Sequence, residues 1–464
     1  MRRNNLALLV LSLFIYPILS FASDLSAIRG AFLDFVKDPF LYSEAESVRY
    51  QPDGLLVLQD GKIKDFGSYA SLKTEYASVP LTVYPADRLI MPGLIDTHIH
   101  YPQTRILGAF GNTLLDWLNV SVWPEEMKFS DKAYAQTVAG QFLDELLRNG
   151  TTTAQIFTTT YPASVDAIFE EASSRNMRVI AGLTGIDRPG QAPPGYLDTA
   201  DSFYQDSRAL IQKWQGRGRN LYAVTPRFAP GSTREQLKRA SDLLKEFPGV
   251  WLNTHLAENQ SEVALAQQLY PESSDYLNIY EQYHLVGPRF SGGHGIWLSE
   301  SEFDRLHDAG AAISFCPSSN LFLGSGLFKI AQAKDPKRPV RVGIGSDMGG
   351  GNFFSLLNVL GDAYKVGMLQ GYKIGAFRGF YLATRGAAEA LYLDDRLGSF
   401  DPGKEADLVV FDLRSNPTLA NRNGTSTAHS LDEIAYKAFG LITVGGTDSV
   451  AATYVAGKPL YVKP

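Results

Sequence analysis

The stretch MPGLIDTHIHYPQT, residues 91–104, joins an apolar run to two histidines separated by a single residue. Side chains at i and i+2 of a strand point to one face, so a strand here aims His98 and His100 at one point in space. Two converging imidazoles suggest a metal. Taken alone, a hydrogen-bonded histidine pair at a strand end explains the pattern as well, so the metal reading depends on what the rest of the chain supplies.

Outward from this stretch, short apolar or β-branched runs recur: PGLIDTHIH (92–100), GTTTAQIFTTT (150–160), RVIAGLTGI (178–186), LYAVTPRFAP (221–230), VWLNTHLAE (250–258), RFSGGHGIWL (289–298), AAISFCPSS (311–319) and VRVGIGSDM (340–348). Between most of them lie segments with apolar residues at three and four spacing, such as DKAYAQTVAGQFLDELLRNG (131–150), SVDAIFEEASSRN (164–176) and TREQLKRASDLLKEF (233–247), which predict amphipathic helices. Eight strand-helix units imply a TIM-type barrel, whose chemistry sits at the carboxyl ends of the strands.

That geometry makes a test available, because candidate ligands should then cluster at strand ends. His98 and His100 end the first strand, His255 the fifth, His294 the sixth and Asp347 the eighth, whereas His284, His307 and His429 fall in helical or loop segments. Any one of the five is explained as an ordinary core or surface residue; five at barrel strand ends are not. Imidazole and carboxylate suit Zn²⁺, Fe²⁺ or Mn²⁺, and a bound metal brings the pKa of a water towards neutrality. Glu258, three residues beyond His255, is placed to act as general acid and base beside such an ion; its other reading is a carboxylate favoured at a helix start.

Composition bounds the remaining possibilities. The 464 residues are 45% hydrophobic and 20% charged, an ordinary globular balance, and the net charge of -6 offers no footprint for nucleic acid or an anionic membrane. The single cysteine, Cys316, excludes an internal disulfide and cysteine-rich metal ligation; no base is paired with it in sequence, so it reads as buried packing. The first residues, MRRNNLALLVLSLFIYPILSFAS, pair two arginines with an apolar stretch and small residues at Ser20 and Ala22. This is the pattern of a secretory signal peptide cleaved after Ala22, with an uncleaved anchor as the alternative, and it predicts an exported protein with no membrane attachment after cleavage.

Both ends of the mature chain read as β-structure. GLLVLQDGKIKDFGSYASL (54–72) alternates around an Asp60-Gly61 turn, and LGSFDPGKEADLVVFDL (397–413) and VAATYVAGKPLYVKP (450–464) are short strands between Pro/Gly turns. The expected architecture is therefore α/β: a (β/α)8 TIM-type barrel over 93–394, with a small β-sandwich domain assembled from 23–92 and 395–464, after a signal at 1–22.

At this point the residues carry a family resemblance. PGLIDTHIH, HLAEN, GGHGIWLS, CPSSN and GIGSDMGGG, in this order, resemble the amidohydrolase superfamily over nearly all of the mature chain. HIHYPQTRILGAFGNTLLDWLNVSVWPEE and TPRFAPGST are similar, within it, to the guanine deaminases. The resemblance implies hydrolysis of guanine to xanthine and ammonia with one zinc, Fe²⁺ being the alternative ion. It implies that His98, His100, His255 and Asp347 hold that metal, with His294 against its water. It further implies that Glu258 carries the water's proton to the ring next to the attacked C2, that Asp347 assists as base, and that Gln103, Arg227, Phe228 and His255 contact the purine. Such proteins are commonly homodimers and usually cytosolic, so the signal peptide is a departure.

The chemistry of the last group agrees with the resemblance. A flat purine needs a donor for its carbonyl, an amide able to give and accept, and an aromatic wall; Arg227, Gln103 and Phe228 supply these. Arg227 is otherwise half of a surface or interface ion pair and Gln103 an ordinary loop amide. An arginine at the fourth strand also argues for one metal, since the bridging ligand of two-metal relatives would come from that region. Trp117 and the SVWPEE segment read as part of a lid or wall, or as packing. The competing functions are a relative acting on another aminated ring, of adenosine, pterin or triazine type, and an inactive binding protein on the same fold. The intact ligand set and Glu258 weigh against the second.

Overall fold

The computed structural model describes residues 25–110 and 114–464, so the expected signal peptide lies outside the described residues. Five strands precede the barrel: β1 (Leu25–Phe35), β2 (Val48–Gln59), β3 (Lys62–Ser68), β4 (Leu81–Val83) and β5 (Arg88–Pro92). The barrel strands follow: β6 (Leu94–His100), β7 (Thr151–Phe157), β8 (Arg178–Gly182), its short continuation β9 (Thr184–Gly185), β10 (Asn220–Pro226), β11 (Trp251–Leu256), β12 (Phe290–His294), β13 (Ala312–Phe315) and β14 (Arg341–Ile344). The chain ends with β15 (Leu408–Asp412), β16 (Val450–Val455) and β17 (Lys458–Val462).

All eight expected barrel strands are present, each paired in parallel with its neighbour in the order β14-β13-β12-β11-β10-β8-β7-β6. Their near-continuous apolar runs follow from burial on both faces, by side chains inside and helices outside. The helix Lys132–Arg148 illustrates the outer ring: Asp131 caps it by accepting from the Ala133 amide at 2.8 Å, and Ala135, Val138, Ala139, Phe142, Leu143 and Leu146 make one buried stripe. The ring closes at the functional end, where the Asp347 amide donates to the His98 carbonyl at 2.8 Å and Thr97 Oγ1 donates to the Ile344 carbonyl at 2.9 Å. Asp96 Oδ1 accepts from the amides of His98 and Ser346, at 3.1 and 3.0 Å, which fastens the first strand to the end of the eighth.

The two termini build one eight-stranded sheet, as the sequence leads one to expect, in the order β17-β16-β15-β5-β1-β2-β3 with β4 beside β1. It curls over its own core of Phe32, Leu56, Leu58, Ile63, Ile90, Phe400, Leu408 and Val410. Ile63 exchanges backbone hydrogen bonds with Gly403 and Lys404, drawing the β3 edge back towards β15. The last seventy residues are not all strand, however. They contain the helices Pro417–Asn423 and Leu431–Val444, the second capped by Ser430 and burying Ile434, Ala438, Leu441 and Ile442 in the main core beside Leu356 and Leu360. No helix among the described residues is long and apolar enough to cross a membrane.

Candidate active site

The carboxyl ends of the barrel strands bring the expected residues together. The ligand atoms of His98, His255 and His294 lie within 4.8 Å of one another, as do those of His98, His100 and Asp347. His100 Nε2 and His98 Nε2 are 3.3 and 3.5 Å from Asp347 Oδ1. Both nitrogens of His98, Nδ1 of His100 and Nε2 of His294 are buried with no hydrogen-bond partner, a combination that is costly unless something electrophilic answers them.

Two further contacts fix how the rings are presented. His255 Nδ1 donates to the Arg227 carbonyl at 2.7 Å and His294 Nδ1 to Asn320 Oδ1 at 2.8 Å, so in each ring Nε2 keeps its lone pair for the centre. Burial, with neighbouring imidazoles adding to it, holds His98, His100 and His255 well below the ordinary histidine range, so they are neutral and able to ligate. Burial likewise raises Asp347 to about 7. Neutral imidazoles, a carboxylate and orphaned ring nitrogens fit a divalent cation, and this chain carries the donor set of a metal-dependent enzyme.

The backbone is bent to make this arrangement. His294 (φ 73°), Asp347 (φ 46°) and Ala257 (φ 46°) adopt the left-handed region, which costs of the order of 1–3 kcal/mol each and recurs where function dictates direction. Close approach demands glycine on the opposite side: a Cβ at Gly293 would strike the His98 ring.

Glu258 sits beside the donor cluster, with Oε2 3.6 Å from His294 Nε2 and Oε1 accepting from Ser325 Oγ at 3.1 Å. Burial raises it to about 7, where a carboxyl group can both take and give a proton. Its position depends on Glu262, which accepts from the Glu258 and Asn259 amides at 2.9 and 3.2 Å and from the Tyr276 hydroxyl. Cys316 is buried, with its thiol pushed well up by burial, as its reading as packing requires.

Over the cluster lies a pocket enclosing about 460 Å³ of empty space, counting its open mouth. Gln103, Arg227, Phe228, Trp117, Leu118 and Leu323 line it together with His100, His255, Glu258 and Asp347. Phe228 packs with Trp117, Trp123, Tyr196 and Ile186 into an apolar wall. Arg227 is both a pocket residue and half of a buried ion pair, because its Nη1 donates to Glu126 Oε2 at 3.0 Å. Sequence reasoning placed Glu126 only within a lid segment, and it missed Asn320, Ser325, Glu262 and Asp96. Glu126, Asn320, Ser325 and the Asp96–Ser346 contact act across long stretches of sequence, so no local spacing marks them, whereas Glu262 closes a capping box with Asn259, a local signal that could have been read.

A barrel with this donor set at its carboxyl end defines a metal-dependent hydrolase. The family model for the amidohydrolase family matches residues 89–460, and the chain belongs to that family. Its relatives narrow the likeness. The guanine deaminase of Escherichia coli strain K12 is 45% identical over 94% of this chain and 98% of its own length. The probable guanine deaminase of Deinococcus radiodurans is 37% identical over 94% of this chain and 98% of its own. The crystal structure of guanine deaminase from Bradyrhizobium japonicum superposes with a TM-score of 0.91 at 47% identity, covering 95% of this chain and 100% of that one.

Proposed function

We propose that this protein is a guanine deaminase, converting guanine and water to xanthine and ammonia. The observation that carries the reading is the placement of the Arg227, Gln103 and Phe228 wall directly over the His98, His100, His255 and Asp347 donors. The similarity over nearly the whole chain to proteins of that name supports the substrate.

His98, His100, His255 and Asp347 would hold a single ion, which we take to be zinc, because neutral imidazoles dominate the set. Such an ion supplies Lewis acidity that activates a water for attack near neutral pH. Arg227 donates to the purine carbonyl, Gln103 binds the neighbouring ring edge and Phe228 covers the ring face. Glu258 takes a proton from the attacking water and delivers it to the ring nitrogen beside C2. Asp347 and His294 hold the water in line with C2. Collapse of the tetrahedral carbon, with a proton passed to the exocyclic nitrogen, releases ammonia and leaves the carbonyl of xanthine. Arginine at position 227, following β10, supports one metal rather than two.

The same reading extends to the cell. The N-terminal pattern of two arginines and an apolar stretch supports export with cleavage after Ala22, and the family resemblance supports a homodimer. Sedimentation and the N-terminal mass of exported protein test these two points.

The test of function is ammonia release from guanine by the purified protein with its metal content measured, beside Glu258→Gln and a panel of adenine, pterin and triazine substrates. We expect turnover of guanine that falls roughly 10²- to 10⁴-fold in Glu258→Gln with metal retained. Inert guanine beside turnover of another ring would overturn the substrate.

A further inference from the structure

Glu126 is fully buried on the short helix Trp123–Glu126, and each of its hydrogen-bond partners among the described residues donates to it. Gln103 Nε2 donates to Oε1 at 2.9 Å, Arg227 Nη1 to Oε2 at 3.0 Å, Arg227 Nη2 to Oε1 at 3.3 Å, and the Tyr196 hydroxyl to Oε2. An ionised carboxylate accepts and never donates, whereas a glutamine side chain can turn either its oxygen or its nitrogen to a ligand. Beside Glu126 that freedom is gone: one N–H of the Gln103 amide is committed, a flip would set its oxygen against the carboxylate, and Oε1 is left buried with no partner. Gly349, at φ 123°, gives that oxygen its room, since a Cβ there would collide with it. Arg227, lying 4.8 Å over the Trp123 ring, offers only donors.

We propose that Glu126 is a positioning residue that sets ring specificity by locking Gln103 as an acceptor beside the Arg227 donor. A donor next to an acceptor is the complement of a cyclic lactam, a C=O adjacent to an N–H. It opposes an amidine edge, in which an exocyclic amine adjoins a bare ring nitrogen. Buried polar groups left unpaired by the wrong edge make such discrimination strong. The inference rests on the guanine deaminase reading and assigns the source of its preference.

The test compares Glu126→Gln with the wild-type holoenzyme. The readouts are kcat/KM for guanine against 2-aminopurine, which keeps the reacting amine but lacks the lactam, and inhibition by hypoxanthine against adenine. The wild type should prefer each lactam ring at least tenfold. In Glu126→Gln, whose residue 103 is free to turn, both ratios should fall at least tenfold, because guanine KM and the hypoxanthine constant suffer more than the 2-aminopurine and adenine values. Glu126→Asp, which keeps the charge, should retain most of the preference. A purely structural role would lower all four values together and leave the ratios intact, overturning the proposal. Should Glu126→Gln not fold, a wild type that binds hypoxanthine no better than adenine overturns it equally. Absence of ammonia from guanine in the wild type would instead sink the functional reading, a separate outcome from an unchanged ratio.

Discussion

His255 Nδ1 donates to the carbonyl oxygen of Arg227 at 2.7 Å, so the residue that presents its side chain to the substrate pocket uses its backbone to orient a candidate metal ligand. The same peptide segment thereby serves both halves of the site, and a shift of β10 would disturb ring recognition and ligation together. Arg227 holds one end of this link and Glu126 holds Arg227, which ties the helix Trp123–Glu126 to the donor cluster through three residues.

The His294 ring has a comparable support in Asn320. Replacing Asn320 with Ala removes the acceptor of the Nδ1 proton and frees the ring to turn or change tautomer. Loss of such an outer partner commonly costs 10- to 100-fold in activity or metal affinity. We expect kcat for guanine to fall by about that factor while the melting temperature changes little; retention of full activity would show that His294 needs no orientation.

Gly293 bears on the metal more directly. A Cβ in Gly293→Ala would meet the His98 ring, which is fully buried and packed against Phe157, His100, His255 and His294. Overpacking of this kind costs about 1–3 kcal/mol. The purified variant should contain less than a tenth of the wild-type metal, and added zinc should restore activity only at high concentration. A fully loaded Gly293→Ala protein would contradict the placement of His98 in the donor set.

How far the sequence foretold this depends on the range over which each feature is encoded. The barrel strands and their order are local, written in apolar runs broken by helical periodicity, and His98, His100, His255, His294 and Asp347 were legible because each ends such a run. The helix Leu431–Val444 was equally local, with Ser430 as its cap and Ile434, Ala438 and Leu441 on one face, yet the strand-rich segments around it drew the whole region into a β reading. Glu126 was illegible for a different reason. Glu125 and Glu126 both look like first-turn acids after Pro124, and only the fold reveals that Glu125 pairs with Lys128 while Glu126 meets an arginine 101 positions away.

At the other end of the barrel, Glu405 and Asp407 of the C-terminal segment grip Arg178 and Arg219 at the starts of β8 and β10. Arg219 Nη2 lies 2.5 Å from Glu405 Oε2 and 2.6 Å from Asp407 Oδ2. Burial pushes Glu405 up, but the two guanidinium groups outweigh it and hold the carboxyl below its ordinary range. Glu405→Ala would leave Arg178 buried without its counter-charge, a loss of about 3–5 kcal/mol. Chemical denaturation should read that loss, while kcat below the melting temperature stays within twofold because the site lies at the opposite strand ends. A variant as stable as the wild type would mean that the Glu405 ion pairs add nothing to the hold on the terminal sheet.

Asp198 gives the fold a pH dependence of calculable sign. Its Oδ1 accepts from the Ile186 amide at 3.2 Å and Gln236 Nε2 at 2.8 Å, whereas Oδ2 is buried with no partner. Burial, reinforced by the nearby Asp187 carboxylate, raises it from 3.8 to about 8. Between those values the folded protein holds a proton that the unfolded chain has released, so this group's contribution to stability is full below about pH 4 and is lost as pH rises towards 8. The slope is at most about 1.4 kcal/mol per pH unit. Asp198→Asn keeps the Oδ1 acceptor and carries no charge, so it should gain stability relative to the wild type steadily from pH 5 to pH 8 in urea unfolding. Other buried carboxyl groups cancel in that difference. Parallel stability curves for the two proteins over this range would show that Asp198 is already ionised in the folded state.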